Sequence, residues 1–388
     1  MDEQSSTRVS EAPKHRQIQL DSLRAVSLAM VVYQHTMRPT GRIFGSLGSA
    51  GLMVFFVLSG YLITGILLEA RERADAEGVA KGGVLKRFYI RRFLRIFPLY
   101  YAVLAIAVLL GEPTTRQYLF ELATYRTNFL MASLRHNIPP ATPLWSLAVE
   151  EHFYLFWPLI VLFGSRRFVW GSVAVMVLGS VASRAWAASQ GLGFQAITMP
   201  TWASVDGIAL GSALALLFRY STAGVRTRWM NASLAAGLAL GAVYVLIVRS
   251  SWPARATMVS GLNMLPVGLV SFWVIDRAVE GKLPRLFENR VLGALGLMSY
   301  GMYVFHRYVM HYLGYDYERG WMVFVSVFGV SAALAFVSWH VYESPINNLK
   351  RFWPYVPRRA GMAADAAVAP PGALPATSEP ASSGVSRS

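Results

Sequence analysis

Long apolar segments alternate with short polar ones along almost the whole chain. Ten of them are apolar enough to form helices that cross, or nearly cross, a bilayer, because about 20 apolar residues span its hydrocarbon core. They cover residues 18–37, 48–68, 96–110, 153–163, 168–183, 202–218, 230–248, 258–275, 291–313 and 321–341. The fourth is too short alone and needs residues 148–152 to complete it. The pattern predicts an all-α, polytopic membrane helix bundle with about ten transmembrane helices.

The composition agrees with a membrane protein and excludes several other classes. Apolar residues make up 54% of the chain, charged residues 15%, and the mean hydropathy is +0.40, whereas a soluble chain carries about 25% charge. The sequence has no cysteine, which excludes disulfides, thiolate catalysis and cysteine-bound metals. The net charge of +15 does not indicate nucleic-acid binding, because the basic residues occupy short loops between apolar segments.

The positive charges also predict the orientation and the domain organisation. With the N-terminus in the cytoplasm and ten alternating helices, the inside segments hold 25 Lys and Arg, the outside loops hold 9, and Arg24 and Arg307 lie within the first and ninth helices. This bias places both termini in the cytoplasm. We predict a polar cytoplasmic N-terminus at 1–17 without a removable signal peptide, a transmembrane domain at 18–356, and a disordered, Ala/Pro/Ser-rich cytoplasmic tail at 357–388.

Two titratable side chains of the first predicted helix, Arg24 and His35, are functional candidates, because such groups are costly inside a membrane. They are eleven residues apart, which places them on one helix face, separated by roughly 16 Å along the axis. The alternatives are that Arg24 reaches the headgroups or pairs with Asp21, and that His35 is an interfacial histidine. Their shared face favours a functional role, with Arg24 near the cytoplasm and His35 toward the outer face.

Other carboxylates and imidazoles lie at a similar depth to His35. Glu150 and Glu151 open the fourth predicted helix, Asp206 lies near the outer end of the sixth, and His306 lies in the outer half of the ninth. Each also has a structural interpretation, because acidic residues stabilise helix N-termini and a histidine can donate to a backbone carbonyl. Their common level predicts one polar site near the outer face.

The string LKRFYIRRFLRIFP before the third predicted helix concentrates positive charge on the cytoplasmic side. Arg92 and Arg95 lie one turn apart on one face, where they could grip a phosphate in bidentate fashion, with Arg91 next to them. The alternative is an ordinary positive-inside anchor. The sequence contains no Walker A loop, GxGxxG, HExxH or GxSxG motif.

Several strings, taken in order, resemble the membrane acyltransferase-3 family. They are LDSLRAVSLAMVVYQH, FFVLSGYLIT, RFYIRRFLRIFPLYY, PLWSLAVEEHFYLFWPL, LMSYGMYVFH and YESP. The resemblance extends from about residue 20 to 350. The chain departs from the family at Ser22, where glycine is common, at His152, where glutamine is usual, and at Ser344, where a basic residue often stands. None of these departures removes a group with an expected chemical role.

The resemblance implies an O-acyltransferase of a bacterial-type cytoplasmic (inner) membrane. It would move an acyl group, most simply acetyl, from cytoplasmic acyl-CoA to a hydroxyl of a sugar-containing acceptor such as a cell-surface polysaccharide, lipopolysaccharide or glycolipid. His35 would act as general base, with Glu150 or Glu151 orienting its ring. The expected site residues are His35, Glu150, Glu151 and Arg24 for catalysis, Arg91, Arg92 and Arg95 for the donor, and Asp206, His306 and Trp145 for the acceptor.

Several alternatives stay open. A transient acyl-histidine could replace general base catalysis, and Trp145 could belong to an interfacial belt instead of stacking on a sugar. On physical grounds alone, a transporter or flippase of an anionic or glycan substrate fits ten helices with intramembrane charges. We expect acyl-CoA as a donor substrate but no permanently bound cofactor or metal. Partner proteins of envelope biosynthesis are possible, and the oligomeric state is open.

Overall fold

The computed structural model describes residues 14–37, 47–249, 251, 255–316 and 318–356. Within these ranges every regular element is a helix and no strand occurs, which confirms the predicted all-α class. The predicted tail at 357–388 and residues 1–13 of the predicted polar N-terminus lie outside the described residues.

Eighteen α-helices follow one another in the described residues. In chain order they are α1 Lys14–Met37, α2 Leu47–Glu77, α3 Lys81–Leu109, α4 Pro113–Gln117, α5 Leu119–Ala123, α6 Thr127–Leu134, α7 Leu144–Phe163, α8 Arg166–Ser189, α9 Phe194–Thr198, α10 Thr201–Ser204, α11 Asp206–Tyr220, α12 Ala223–Arg249, α13 Arg255–Leu262, α14 Leu265–Val279, α15 Arg290–Leu297, α16 Ser299–Tyr312, α17 Trp321–Ser338 and α18 Ser344–Asn348. Short 3-10 turns lie at Arg285–Glu288 and Leu349–Phe352, and a π-helical turn lies at Trp339–Glu343.

Seven helical segments of the described chain are long and apolar enough to cross a membrane. They are Leu47–Glu77, Lys81–Leu109, Leu144–Phe163, Arg166–Ser189, Ala223–Arg249, Thr257–Val279 and Trp321–Phe352. The other three predicted spans fall on α1, which carries Asp21 and Arg24, on α11, which has 15 residues, and on α15 with α16, which are separated at Met298. The multi-pass character is confirmed, whereas the count of ten and the cytoplasmic location of both termini stay predictions.

Among the helices that begin earlier than the sequence pattern predicted, α3 and α7 change where site residues lie. α3 begins at Lys81, not at residue 96, because residues 84–97 contain no glycine or proline that would interrupt a helix. The basic string is therefore part of α3. α7 begins at Leu144, so Glu150 and Glu151 lie more than one turn inside it and its first turn has no acidic residue. Stabilisation of the N-terminus of α7 by these carboxylates is thereby excluded.

The segment between α3 and α7 folds against α3. The Tyr100 hydroxyl donates to the Leu122 carbonyl at 2.8 Å, and the Tyr101 hydroxyl donates to the Ala123 carbonyl at 2.8 Å. Because Tyr100 is 1% exposed, this bond satisfies a polar group that would be costly to bury alone. The three short helices α4 to α6 are thus held beside the helix that carries the basic string.

α2 and α11 cross with their backbones in direct contact. A Cβ atom added at Gly60 would lie 1.9 Å from the Ile208 carbonyl oxygen, and one at Gly211 would lie 1.9 Å from the Val57 carbonyl oxygen. Glycine is therefore required at both positions, as is usual where membrane helices approach closely. The crossing holds the residue before Gly60, Ser59, in a fixed position facing α7.

We expect Gly60→Ala to destabilise the bundle by about 1–3 kcal/mol, because the new methyl group must push α2 and α11 apart. The measurement is thermal unfolding of the purified protein in detergent. The matched control is Gly65→Ala on the same helix, where an added Cβ meets nothing within 4 Å. Equal unfolding temperatures for the two variants would show that the crossing is not as tight as described.

Candidate functional site

Three neighbouring cavities contain most of the predicted site residues. The histidine cavity has a volume of about 180 Å³, the central cavity about 140 Å³ and the arginine cavity about 130 Å³. The predicted residues on their walls are His35, Trp145 and Asp206 in the histidine cavity, Arg24, Arg95 and Glu150 in the central cavity, and Arg24, Arg92, Arg95, Glu150 and Glu151 in the arginine cavity. α1 contributes to all three cavities through Arg24 and His35.

The cavities form a row because neighbours share wall residues. The central and arginine cavities share six residues: Arg24, Ser59, Arg95, Leu147, Glu150 and Tyr300. The histidine and central cavities share only Leu52, Phe56 and Tyr303, which we call the partition. The row therefore runs from the arginines to His35, and the mostly apolar partition separates the central cavity from the histidine cavity.

His35 forms a side-chain pair with His306, which lies on α16. His35 Nδ1 is 2.9 Å from His306 Nε2, and the two ring planes differ by 3°. The other nitrogen of His306, Nδ1, is 2.6 Å from the carbonyl oxygen of Tyr303. His306 is fully buried and is not among the residues that line the histidine cavity. The sequence predicted that His306 contacts the acceptor, but the structure places it behind His35 with both ring nitrogens already engaged.

Glu150 lies in the row of cavities and is bonded to a residue of α2. The Ser59 hydroxyl donates to Glu150 Oε1 at 2.5 Å, and the Tyr154 hydroxyl donates to Ser59 Oγ at 3.2 Å. Ser59 belongs to the string FFVLSGYLIT, in which a serine among apolar residues was the only sequence signal for this contact. The predicted orientation of the His35 ring by a glutamate is not seen, because His306 occupies His35 Nδ1 and Ser59 bonds Glu150.

Glu151, the residue after Glu150 on α7, lines the arginine cavity. Its carboxylate has no hydrogen bond or ion pair with other residues in the described part of the chain. The carboxylate therefore stays available on the cavity wall. Its predicted catalytic role stays a prediction.

Arg24 both pairs with Asp21 and lines the candidate site, so the structural and the functional interpretation of the sequence each apply to it. Its Nη1 atom donates to Asp21 Oδ1 at 2.5 Å, one helical turn earlier on α1. The same guanidinium lines both the central and the arginine cavities. Because a guanidinium carries five N–H donors, the bond to Asp21 leaves other donors for a bound group.

The guanidinium groups of Arg92 and Arg95 face aromatic rings, with no carboxylate bonded to them. The Cζ atom of Arg95 lies 5.2 Å from the Trp339 ring centroid, and that of Arg92 lies 5.9 Å from the Tyr154 ring centroid. Within the described residues neither arginine forms an ion pair, and the Arg92 Nε atom is buried without a hydrogen-bond partner. Two adjacent cations with unused donors favour an anionic ligand in the arginine cavity.

Arg91 lies elsewhere, away from the row of cavities. Its Nη1 atom donates to the carbonyl oxygens of Lys350 at 2.9 Å and Trp353 at 3.2 Å, and its guanidinium lies over the Tyr355 ring. These contacts hold the C-terminal turn against α3. The prediction that Arg91 binds the donor stays untested, and its position gives that prediction no support.

Asp206 begins α11 and is paired with Arg184 of α8, a residue that the sequence analysis did not single out. The Arg184 Nη2 atom lies 2.7 Å from Asp206 Oδ2, and both side chains are 1% exposed. Arg184 Nη1 also donates to the Ala203 carbonyl oxygen and Nη2 to the Gly261 carbonyl oxygen, whereas Nε is buried without a hydrogen-bond partner in the described part of the chain. Removing one partner of so buried a pair leaves an uncompensated charge, so Asp206 has a structural role in addition to any contact with a ligand.

Trp145 stands on the wall of the histidine cavity near its partition. Its ring packs edge-on against Phe56, with centroids 6.5 Å apart and ring planes at 88°. It thus faces the same space as His35. Its predicted stacking on a sugar stays a prediction.

Comparison with known proteins identifies the family. An acyltransferase-domain family model, Acyl_transf_3, matches residues 17–340. The chain therefore belongs to this acyltransferase family, and the resemblance seen in the motifs is confirmed. No solved structure matches the chain significantly.

Three relatives indicate what kind of enzymes the family contains. The peptidoglycan O-acetyltransferase OatA of Listeria monocytogenes is 34% identical over 37% of this chain and 24% of its own length. A Bacillus subtilis protein named "Putative peptidoglycan O-acetyltransferase YrhL" is 27% identical over 86% of this chain and 55% of its own length. A Staphylococcus aureus protein named "Putative O-acetyltransferase" is 24% identical over 85% of this chain and 57% of its own length. The chain spans little more than half the length of the two relatives that match most of it.

Proposed function

We propose that the protein is a membrane O-acyltransferase that moves an acyl group, most simply acetyl, from acyl-CoA to a hydroxyl of a glycan acceptor. The observation that carries this proposal is the row of cavities, with the His35 imidazole at one end and, at the other, Arg92 and Arg95, which form no ion pair within the described residues. The family membership and the names of the relatives support O-acetyl transfer to a cell-envelope glycan such as peptidoglycan.

The donor would enter at the arginine end. Arg92 and Arg95 would bind the phosphates of CoA with charge-assisted, bidentate hydrogen bonds. The pantetheine arm would extend past Arg24 and the partition, with the thioester leading. The axial separation of Arg24 and His35 on α1, roughly 16 Å, is a distance that an extended arm can cover. Because acyl-CoA is cytoplasmic, the arginine end would face the cytoplasm, as in the ten-helix topology with both termini inside.

His35 would act on the acceptor. As general base it takes the proton of the acceptor hydroxyl, whose oxygen attacks the thioester carbonyl. The carbon–sulfur bond then breaks, and the departing CoA sulfur receives the proton from His35. In the alternative, His35 attacks the thioester first and passes the acyl group on. In both routes the imidazole must lie in a cavity that the thioester reaches. The position of His35 on the wall of the histidine cavity supports this requirement.

An experiment with labelled donor tests this proposal against transport. Purified protein in proteoliposomes receives acetyl-CoA labelled in the acetyl group, with and without a cell-envelope glycan extract. We expect acceptor-dependent release of free CoA and transfer of the label to the glycan. Passage of intact acetyl-CoA or glycan across the vesicle membrane, without thioester cleavage, would contradict the proposal and favour a transporter.

A further inference from the structure

We infer that His306 is a positioning residue that fixes the tautomer of His35, so that the basic nitrogen of His35 faces the histidine cavity. This inference rests on the proposed function, in which His35 acts on the acceptor. It depends on a chain of hydrogen bonds from the backbone of α16 to α1, and it gives a reason for a second buried histidine that the proposed reaction does not otherwise use.

The hydrogen bonds determine which nitrogen carries each proton. A carbonyl oxygen accepts only, so the His306 Nδ1 atom, 2.6 Å from the Tyr303 carbonyl oxygen, must carry a hydrogen. In a neutral imidazole the other nitrogen is then an acceptor. His306 Nε2 therefore accepts a hydrogen bond from His35 Nδ1–H across 2.9 Å. The neutral His35 ring is left with its lone pair on Nε2.

The surroundings favour the neutral form of His306, on which this assignment depends. Its side chain is fully buried, and among the described residues it is bonded to His35 and the Tyr303 carbonyl and to no carboxylate, so burial opposes its ionisation. Arg307 acts on both histidines and Arg319 on His35, and both are cations that disfavour a positive charge on the pair. The Ser146 hydroxyl of α7 is bonded to the Tyr303 hydroxyl at 2.6 Å, not to either histidine.

The position of the pair relative to the cavity completes the argument. His35 lines the histidine cavity and His306 does not, so His306 lies on the far side of the His35 ring. With Nδ1 bonded away from the cavity, the opposite edge of the ring, which carries Nε2, is the edge that remains for a ligand. A hydroxyl bound there would meet a lone pair. In a serine protease triad, a buried carboxylate holds the catalytic histidine in the correct tautomer. His306 would do the same for His35, although it is uncharged.

Two polar substitutions of His306 distinguish its two hydrogen bonds, the one that it accepts from His35 and the one that it donates to the Tyr303 carbonyl. H306Q places an amide oxygen near the position of Nε2, so it can still accept from His35 Nδ1–H. H306N is shorter, so it can still donate to the Tyr303 carbonyl but leaves His35 Nδ1 without an acceptor. We expect kcat for acetyl transfer to fall roughly 10²-fold in H306N and to stay within about tenfold of wild type in H306Q, with KM for acetyl-CoA changed less than about threefold in both.

The matched control is H311Q, because His311 lies on the same helix and its Nδ1 atom bonds Asp316 outside the site at 2.7 Å. We expect H311Q to keep the wild-type kcat. Wild-type rates in both His306 variants, or equal losses in both, would overturn the inference. The rate would then not depend on a hydrogen-bond acceptor for His35 Nδ1–H.

A second measurement needs no transfer activity. Diethyl pyrocarbonate acylates an accessible, unprotonated ring nitrogen and can be located by peptide mass spectrometry. We expect His35 to be modified rapidly in the wild type and H306Q and more slowly in H306N. An equal rate in all three proteins would overturn the assigned tautomer. Absence of transfer in the wild type together with the expected modification pattern would instead count against the proposed function alone.

Discussion

His35→Ala is expected to lower kcat for acetyl transfer by about 10²–10⁴-fold, the contribution that a positioned general base usually makes. The substitution removes the one imidazole that the described residues contribute to the wall of the histidine cavity, and it leaves the arginine end, more than two helical turns away, unchanged. Binding of acetyl-CoA should therefore stay near its wild-type strength. The measurement is steady-state release of CoA with a glycan acceptor, together with donor binding by equilibrium dialysis.

The control for this variant is His340→Ala, an exposed histidine whose Nδ1 atom contacts the Phe336 carbonyl. It should keep full activity. A His35→Ala protein that elutes as the wild type does and transfers acetyl at the wild-type rate would remove His35 from the mechanism. Incubation of the wild type with labelled acetyl-CoA alone, followed by rapid denaturation at neutral pH, separates the two chemical routes, because only an acyl-histidine route leaves label on His35.

The double substitution Arg92→Ala with Arg95→Ala is expected to weaken acetyl-CoA binding by about 10²-fold or more, since a hydrogen bond to a charged group contributes about 1.5–3 kcal/mol. Neither guanidinium has a carboxylate partner within the described residues, so removing it does not leave a buried carboxylate without its partner. The loss should appear in Kd and KM more than in kcat. The measurement is binding of CoA and of dephospho-CoA to the purified protein.

The comparison of the two ligands makes this prediction specific. If the arginines hold a phosphate, the wild type should prefer CoA to dephospho-CoA and the double variant should lose part of that preference. The control is Arg73→Ala, an exposed arginine that pairs with Glu69 on α2. Donor binding as tight in the double variant as in the wild type would contradict the phosphate role and favour a simple membrane anchor.

Local sequence pattern was enough to predict the parts of the site that depend on one helix. The spacing of Arg24 and His35 predicted that they share a face of α1, and both line the same row of cavities. The spacing of Arg92 and Arg95 likewise placed them together on one cavity wall. Periodicity gives the face and depth of a residue on its own helix, and these pairs needed nothing more.

Contacts between helices could not be predicted in the same way. The partners of His35, Asp206 and Glu150 are His306, Arg184 and Ser59, which lie 271, 22 and 91 residues away along the chain. Which helices become neighbours depends on packing, for example on the close approach of α2 and α11 at Gly60, and a single sequence does not show that packing. Helix starts were also misplaced, because charged helix formers such as those in α3 lower the hydropathy without ending the helix.

The central claim is that a thioester reaches His35 through the row of cavities from the arginine end. The most direct test is a structure of the protein with a non-cleavable thioether analogue of acetyl-CoA. The account predicts phosphates bonded to Arg92 and Arg95, the arm passing between Leu52, Phe56 and Tyr303, and the acetyl carbonyl carbon within about 4 Å of His35 Nε2. Binding of the analogue on another surface would contradict the account. So would an acetyl group that lies on the arginine side of the partition, with no open path from there to His35.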